Sequence, residues 1–192
     1  MLHNDMTLEL EFMFLDRIIN KPVHVRELAR ELKLNPMIVA RKLSLLMSKN
    51  VIDFNKEGRN KTFFLKNSFE AKNWIMMMEL YKLNELARKY PDIRRIASSV
   101  RDIKNIAFAL LFGSYAKQSA DERSDIDLFI EPFTKDAKSL KQLKSELEAI
   151  SSKLSIKIGF YDEDNLLIKE IDKNHVVLKG LEEYYAKRKL FG

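Results

Sequence analysis

The stretch LLFGSYAKQSADERSDIDLFI, residues 110 to 130, holds the side chains best suited to chemistry. An apolar run ends in Gly113-Ser114, ten residues pass, and Asp125 and Asp127 then stand one residue apart in a second apolar run. Burying charge is costly unless it is paired or bound to metal, so two carboxylates in a strand-like segment call for a cation. Residues two apart on a strand share a face, about 6–7 Å apart, while Ile126 and Leu128 fill the other side. Hard oxygen ligands at this spacing suit Mg²⁺ (or Mn²⁺), which completes its shell with water and substrate phosphate. Gly113 lets the backbone come close to a ligand. Ser114 adds a hydroxyl at an expected helix start, where free N–H groups and the dipole suit phosphate. A loop for phosphates beside a strand for metal is a layout for phosphoryl or nucleotidyl transfer. It is not a Walker A loop, because G-x-x-x-x-G-K-[ST] is absent. The competing reading is a salt-bridged, solvent-facing edge strand.

The surrounding elements follow from periodicity. IAFALLF, DIDLFIE, SIKIGFYD and VVLK read as strands; SYAKQSA, TKDAKSLKQLKSELEAISSKL, EDNLLIKEIDK and LEEYYAKRKL read as helices. In the long helix Leu140, Leu143, Leu147 and Ile150 face in, and Lys138, Lys141, Lys144 and Glu148 face out. The expectation is an α/β layer on a mixed sheet.

These residues carry a resemblance. FGSYAKQ-SADER-SDIDLFI is similar to the polymerase-β-type nucleotidyltransferase superfamily, with its h-G-[GS] and D-h-[DE]-h signature, and most resembles its small minimal members. EIDKNHVVLKG resembles their terminal segment. The match spans about residues 95–185. The resemblance implies that Gly113 and Ser114 bind the phosphates of a nucleoside triphosphate. It implies that Asp125 and Asp127 are catalytic and hold Mg²⁺, and that an acceptor hydroxyl attacks the α-phosphate and expels pyrophosphate. Two positions depart from the family pattern. Gln118 stands where glycine is usual after the G-S-Y-A-[RK] run. Lys157 stands where active members carry a further carboxylate on the next core strand; there it pairs with Asp125 or Asp127, or points away. Asp162 or Asp164, at the strand end, are alternative sources of that acid.

The N-terminal third reads differently. TLELEFMFLDRII sets Leu8, Phe12, Leu15 and Ile19 at helical spacing, with Thr7 as N-cap. Val25, Leu28, Ala29 and Leu32 form the stripe of a short helix. Leu34-Asn35 is a short turn, and Pro36 suits the first position of a new helix, with Ile38, Val39, Leu43, Leu46 and Met47 inward. VIDF and TFFL form a hairpin around Gly58. This order, over residues 7–67, resembles the winged helix-turn-helix family. The resemblance implies that residues 36–48 are a recognition helix and 55–61 a wing tip. From residue 41 to 66 there are seven bases and two acids. The expected contacts to double-stranded DNA are Arg41, Lys42, Lys49, Lys56, Arg59 and Lys61. A solvated basic face on a protein-interaction module is the alternative.

Residues 69–103 read as two helices, with Trp74, Met77, Met78, Tyr81 and Leu86 inward and Pro91 between them. Met76–Met78 reads as gap-filling core, with a homodimer seam as the other reading. The fold class expected is α+β in two domains: a winged helix-turn-helix over 1–68, a helical connector over 69–104, and a nucleotidyltransferase-like α/β domain with a mixed sheet over 105–192.

Composition narrows the classes. The 192 residues are 46% hydrophobic, enough for a core. No cysteine is present, which excludes a disulfide scaffold, a Cys-based zinc site and a thiol nucleophile, and fits a reducing compartment. MLHNDMTLELEF has acids where a signal peptide has bases. The longest apolar run, IAFALLF, has 7 residues, too short to cross a bilayer. A cytoplasmic protein with no membrane partner is expected. Residues 1–68 carry 12 bases against 8 acids, 69–104 carry 8 against 5, and 105–192 carry 14 against 15. The positive excess sits away from the Asp125–Asp127 segment and points to a polyanion partner for the first half. His3, His24 and His175 have no partner pattern and read as structural or surface residues. Tyr184 and Tyr185, before AKRKL, read as a solvated helix end. Three functions remain: a DNA-tethered nucleotidyltransferase, a transcriptional regulator whose degenerate transferase domain senses NTP, and an antitoxin-like half of a two-protein module. Lys157 favours the second over the first.

Overall fold

Asn35 caps the helix that starts at Pro36: its side chain accepts from Met37 N at 2.8 Å, and proline at the first turn needs no N–H partner. Such local rules build the first of two units into which the chain divides, residues 1–78 and 79–190. The structure, a computed structural model, describes residues 2–58 and 60–190. The first unit runs α1 (Leu2–Ile18), β1 (Val23–His24), α2 (Val25–Glu31), α3 (Pro36–Ser48), β2 (Ile52–Glu57), β3 (Asn60–Leu65) and the first part of α4 (Phe69–Lys89). The three strands form an antiparallel sheet in the order β1-β3-β2, and Gly58, at φ +60, turns the hairpin. Helix α1 starts at Leu2, so Thr7 lies inside it rather than capping it. Phe14, Leu15, Leu28, Val39, Leu43 and Leu46 are buried. Ile38 and Leu8, expected inward, are exposed. Trp74 meets Phe12 edge-on at 5.9 Å.

The second unit holds the rest of α4, then α5 (Pro91–Asp102), β4 (Phe108–Phe112), α6 (Gly113–Ala116), β5 (Ile126–Glu131), α7 (Ala137–Glu148), β6 (Leu154–Ile158), α8 (Leu166–Lys173), β7 (Val176–Lys179) and α9 (Leu181–Lys187). The division falls inside α4, at Met78–Glu79, so residues 69–104 do not form a body of their own. Met77, expected inward, is exposed.

The sheet order is β6-β5-β4-β7, with β5 and β6 parallel and the other pairs antiparallel. The expected mixed sheet is present. Alternation splits β5 between two environments. Ile126, Leu128 and Ile130 enter one apolar cluster with Leu86, Ile93, Ile96 and Leu143. Asp127, Phe129 and Glu131 take the other face, where Phe129 meets Phe108 at 6.1 Å and Phe108 meets Tyr184 of α9 at 5.5 Å. Gly180, at φ +69, carries the chain from β7 into α9; a Cβ there would lie 1.9 Å from the Ala107 carbonyl oxygen.

Candidate active site and basic surface

Asp127 is the second residue of β5 and is half-buried; Asp125 precedes the strand and is exposed. The two carboxylates therefore stand at the strand's mouth rather than within its buried length. β5 is an interior strand, which removes the edge-strand reading. Among the described residues neither carboxylate has an ion-pair partner. The Asp121 side chain shapes the approach: it accepts from Arg123 N at 2.9 Å and Ser124 Oγ at 3.1 Å, and Ile126 N then donates to Lys153 O at 2.9 Å.

The register pairs Asp127 with Phe112, so the next residue, Gly113, turns across the carboxylate. Gly113 has φ +72, and a Cβ built on it would lie 2.3 Å from Asp127 Oδ2. Only glycine meets both demands, a left-handed backbone and an approach this close. The two halves of the motif, 14 residues apart in sequence, meet where a side chain would otherwise stand. α6 follows as expected. Buried Tyr115 holds it against Tyr90, edge-on at 4.9 Å. Gln118 also has a left-handed backbone, φ 57. Its carbonyl accepts from Lys89 Nζ at 3.1 Å and Tyr90 OH at 3.5 Å. Ser119 N and Oγ donate to Ser114 O at 2.9 and 3.4 Å. The loop that starts at Gly113 is thus fastened to the end of α4, an attachment that sequence reading missed.

β6 pairs Ser155 with Asp127 and Lys157 with Phe129. Lys157 therefore shares the Asp127 face and is exposed, without an ion pair to Asp125 or Asp127. Asp162 and Asp164 follow the C-terminal end of β6, whereas Asp125 and Asp127 stand at the N-terminal end of the parallel β5. Asp162 accepts from Asp164 N at 3.0 Å, and Asp164 lies 3.7 Å from Lys169. They do not join the site. Among the described residues no group of three or more His, Asp or Glu side chains gathers at metal-binding distance. The donor set is two carboxylates, hard oxygen ligands that fit a Mg²⁺ ion whose remaining positions are filled by water and phosphate.

The C-terminal tyrosines are not a solvated end. Tyr184 and Tyr185 are buried. Tyr185 OH donates to Glu79 Oε1 at 2.8 Å; Tyr184 OH and Tyr161 OH each donate to Asp172 at 2.7 Å. Burial pushes the Tyr184 and Tyr185 phenols well above their ordinary range, which keeps them donors. Buried His175 donates through Nδ1 to Ile171 O at 2.9 Å. His24 donates through Nδ1 to Lys61 O at 3.0 Å. Both are structural; the His3 side chain and Arg59 lie outside the described residues.

Two of the expected DNA contacts instead face an internal carboxylate, Lys42 from a buried position and Lys49 from a half-exposed one. Lys42 is buried, 3.5 Å from the buried Glu11, and Lys49 lies 3.6 Å from Glu11 and 4.5 Å from the Trp74 ring centre. A lysine counted as surface charge instead neutralises a carboxylate 31 residues upstream. Arg41, Lys56 and Lys61 are exposed. Arg26 and Arg30, missed in sequence, are exposed on α2 and line an open cleft of about 820 Å³ with His24, Met37, Asn60 and Lys61. Their i, i+4 spacing on a short helix was the available signal.

A mixed four-stranded sheet thus carries a glycine turn pressed against an acidic strand mouth. The family model described as polymerase beta, nucleotidyltransferase, matches residues 81–183. The chain belongs to that family. Its match begins within α4, so part of α4 and all of α5 lie in the family domain. Two proteins of Methanocaldococcus jannaschii, each provisionally named a protein adenylyltransferase, are 32% and 30% identical over 107 residues. Each alignment covers 56% of this chain and 95% of the relative. Among the described residues no helix is long and apolar enough to cross a membrane.

Proposed function

We propose that this chain transfers a nucleoside monophosphate from an NTP to an acceptor hydroxyl, at the site formed by Gly113, Ser114, Asp125 and Asp127. The observation that supports it most is the fit of Gly113 against Asp127 Oδ2, which joins the glycine turn to the acids. Gly113 and Ser114 hold the phosphates against the start of α6. Asp125 and Asp127 hold the divalent ion, which supplies Lewis-acid neutralisation of the phosphates when bound. The acceptor oxygen attacks the α-phosphorus and gives up its proton to solvent, the bond to the bridging oxygen breaks, and pyrophosphate leaves. The names of the two relatives support an adenylyl group and a protein hydroxyl as the acceptor. The test is calorimetry with ATP, CTP, GTP and UTP, with and without Mg²⁺, beside Asp125→Ala/Asp127→Ala. Magnesium-dependent binding that disappears in the double variant supports the site; no binding of any triphosphate sinks it.

The first unit is read as a winged helix-turn-helix that binds double-stranded DNA. Helix, strand, helix, helix and hairpin follow in that order, and Arg41, Lys56 and Lys61 remain exposed on α3 and the hairpin. A second reading, a regulator that binds NTP without transferring it, is favoured by Lys157 on the Asp127 face and by the absence of a three-acid group among the described residues.

A further inference from the structure

In a parallel pair the partnered residues point to one face, so Asp127, Ser155, Phe129 and Lys157 share a surface. Strand spacing and rise place the Lys157 Cα about 8 Å from the Asp127 Cα, on the diagonal. The side chain is exposed on the edge strand, and no carboxylate among the described residues pairs with it. Its ammonium sits on a flexible four-carbon stem with three donors. Asp127, Ser155 and Lys157 thus share one face of the sheet beside the Gly113 turn, with Asp125 just before the strand, and neither the two carboxylates nor the ammonium has an ion-pair partner among the described residues. That set of charges matches a polyphosphate, with the acids acting through a divalent ion and the ammonium acting directly.

We infer that Lys157 donates to a phosphate oxygen of the nucleoside triphosphate bound at Asp125 and Asp127. The inference rests on the nucleotide-site reading above and extends it. Part of the triphosphate charge is then neutralised by the protein itself, and nucleotide binding depends less steeply on Mg²⁺ than at a site built of acids alone. Ser155, paired with Asp127, adds a hydroxyl between the two. The plain alternative is that Lys157 only guards an edge strand against pairing with other chains. That role changes solubility and leaves nucleotide affinity alone.

The test is calorimetry of the full chain with ATP, in MgCl₂ and in EDTA. Wild type, Lys157→Ala, Lys157→Arg and Asp127→Ala are compared, with far-UV circular dichroism to verify folding. The expected result is measurable ATP binding by wild type in EDTA, weakened about tenfold in Lys157→Ala and retained in Lys157→Arg. The loss in Mg²⁺ is smaller. Equal affinities for wild type and Lys157→Ala in EDTA overturn the inference, as does wild-type binding only with Mg²⁺. If Asp127→Ala abolishes MgATP binding while Lys157→Ala does not alter ATP binding in either buffer, the site stands and the lysine's role falls. If wild type binds ATP in neither buffer, the nucleotide site falls too.

Discussion

A methyl group at residue 113 is the smallest change that reaches the candidate site. Gly113→Ala would put its Cβ 2.3 Å from Asp127 Oδ2, in a backbone conformation that costs an L-residue about 1–2 kcal/mol. The flexible party is the carboxylate, so Asp127 moves. MgATP affinity should fall more than tenfold, as in Asp127→Ala, with only a modest loss of stability; calorimetry beside urea denaturation separates the two. Gln118 carries the opposite lesson. Its φ of 57 is a conformation glycine adopts freely, and the Lys89 and Tyr90 bonds to its carbonyl hold it there. Gln118→Gly relieves about 1–2 kcal/mol of strain and returns about half as chain entropy. A gain of roughly 0.5–1 kcal/mol in urea denaturation is the expected outcome.

At the scale of elements, the C-terminal half was legible because its period changes from helical to alternating and back with punctuation at each change. Gly113-Ser114, Pro132 and Gly180 sit at or next to such boundaries. What escaped was anything decided by residues distant in sequence. The division inside α4 leaves no break in an amphipathic helix. Tyr184 and Tyr185 read as surface because Glu79 and Asp172, their acceptors, lie 106 and 12 residues away. Lys42 read as a DNA contact for the same reason. Its measured behaviour should be that of a core residue: Lys42→Met leaves Glu11 buried, with Lys49 still facing it. Breaking a buried pair costs about 3–5 kcal/mol, and the second lysine should hold the loss near 2–3 kcal/mol. Trp74, the single tryptophan, packs against Phe12 in the same unit, so its fluorescence follows this unfolding transition directly. DNA affinity of the folded variant should not change.

At the scale of the whole molecule, both units carry a small positive excess, and the Gly113–Asp127 turn lies in the second. Residues 1–78 hold 13 bases against 9 acids, and residues 79–190 hold 21 against 19. Of the first group, Lys42 and Lys49 face Glu11, while Arg26, Arg30, Arg41, Lys56 and Lys61 are exposed on α2, α3 and the hairpin. If these meet phosphates, binding must weaken with salt in proportion to the number of phosphates neutralised. Removing one such cation lowers the slope of log affinity against log salt by about 0.9. Arg41→Glu with Lys61→Glu should therefore reduce DNA affinity at least tenfold and flatten the slope by about 2, measured by fluorescence anisotropy at several salt concentrations. The same protein should bind MgATP as wild type does, because neither residue belongs to the unit that carries Gly113 and Asp127. An unchanged salt slope would take DNA away from this surface and leave the exposed Met37, 80% accessible at the start of α3, as the mark of a protein-binding face. A nucleotide affinity that fell in parallel would show that the two activities depend on the same residues and would overturn the assignment of DNA and nucleotide to separate units.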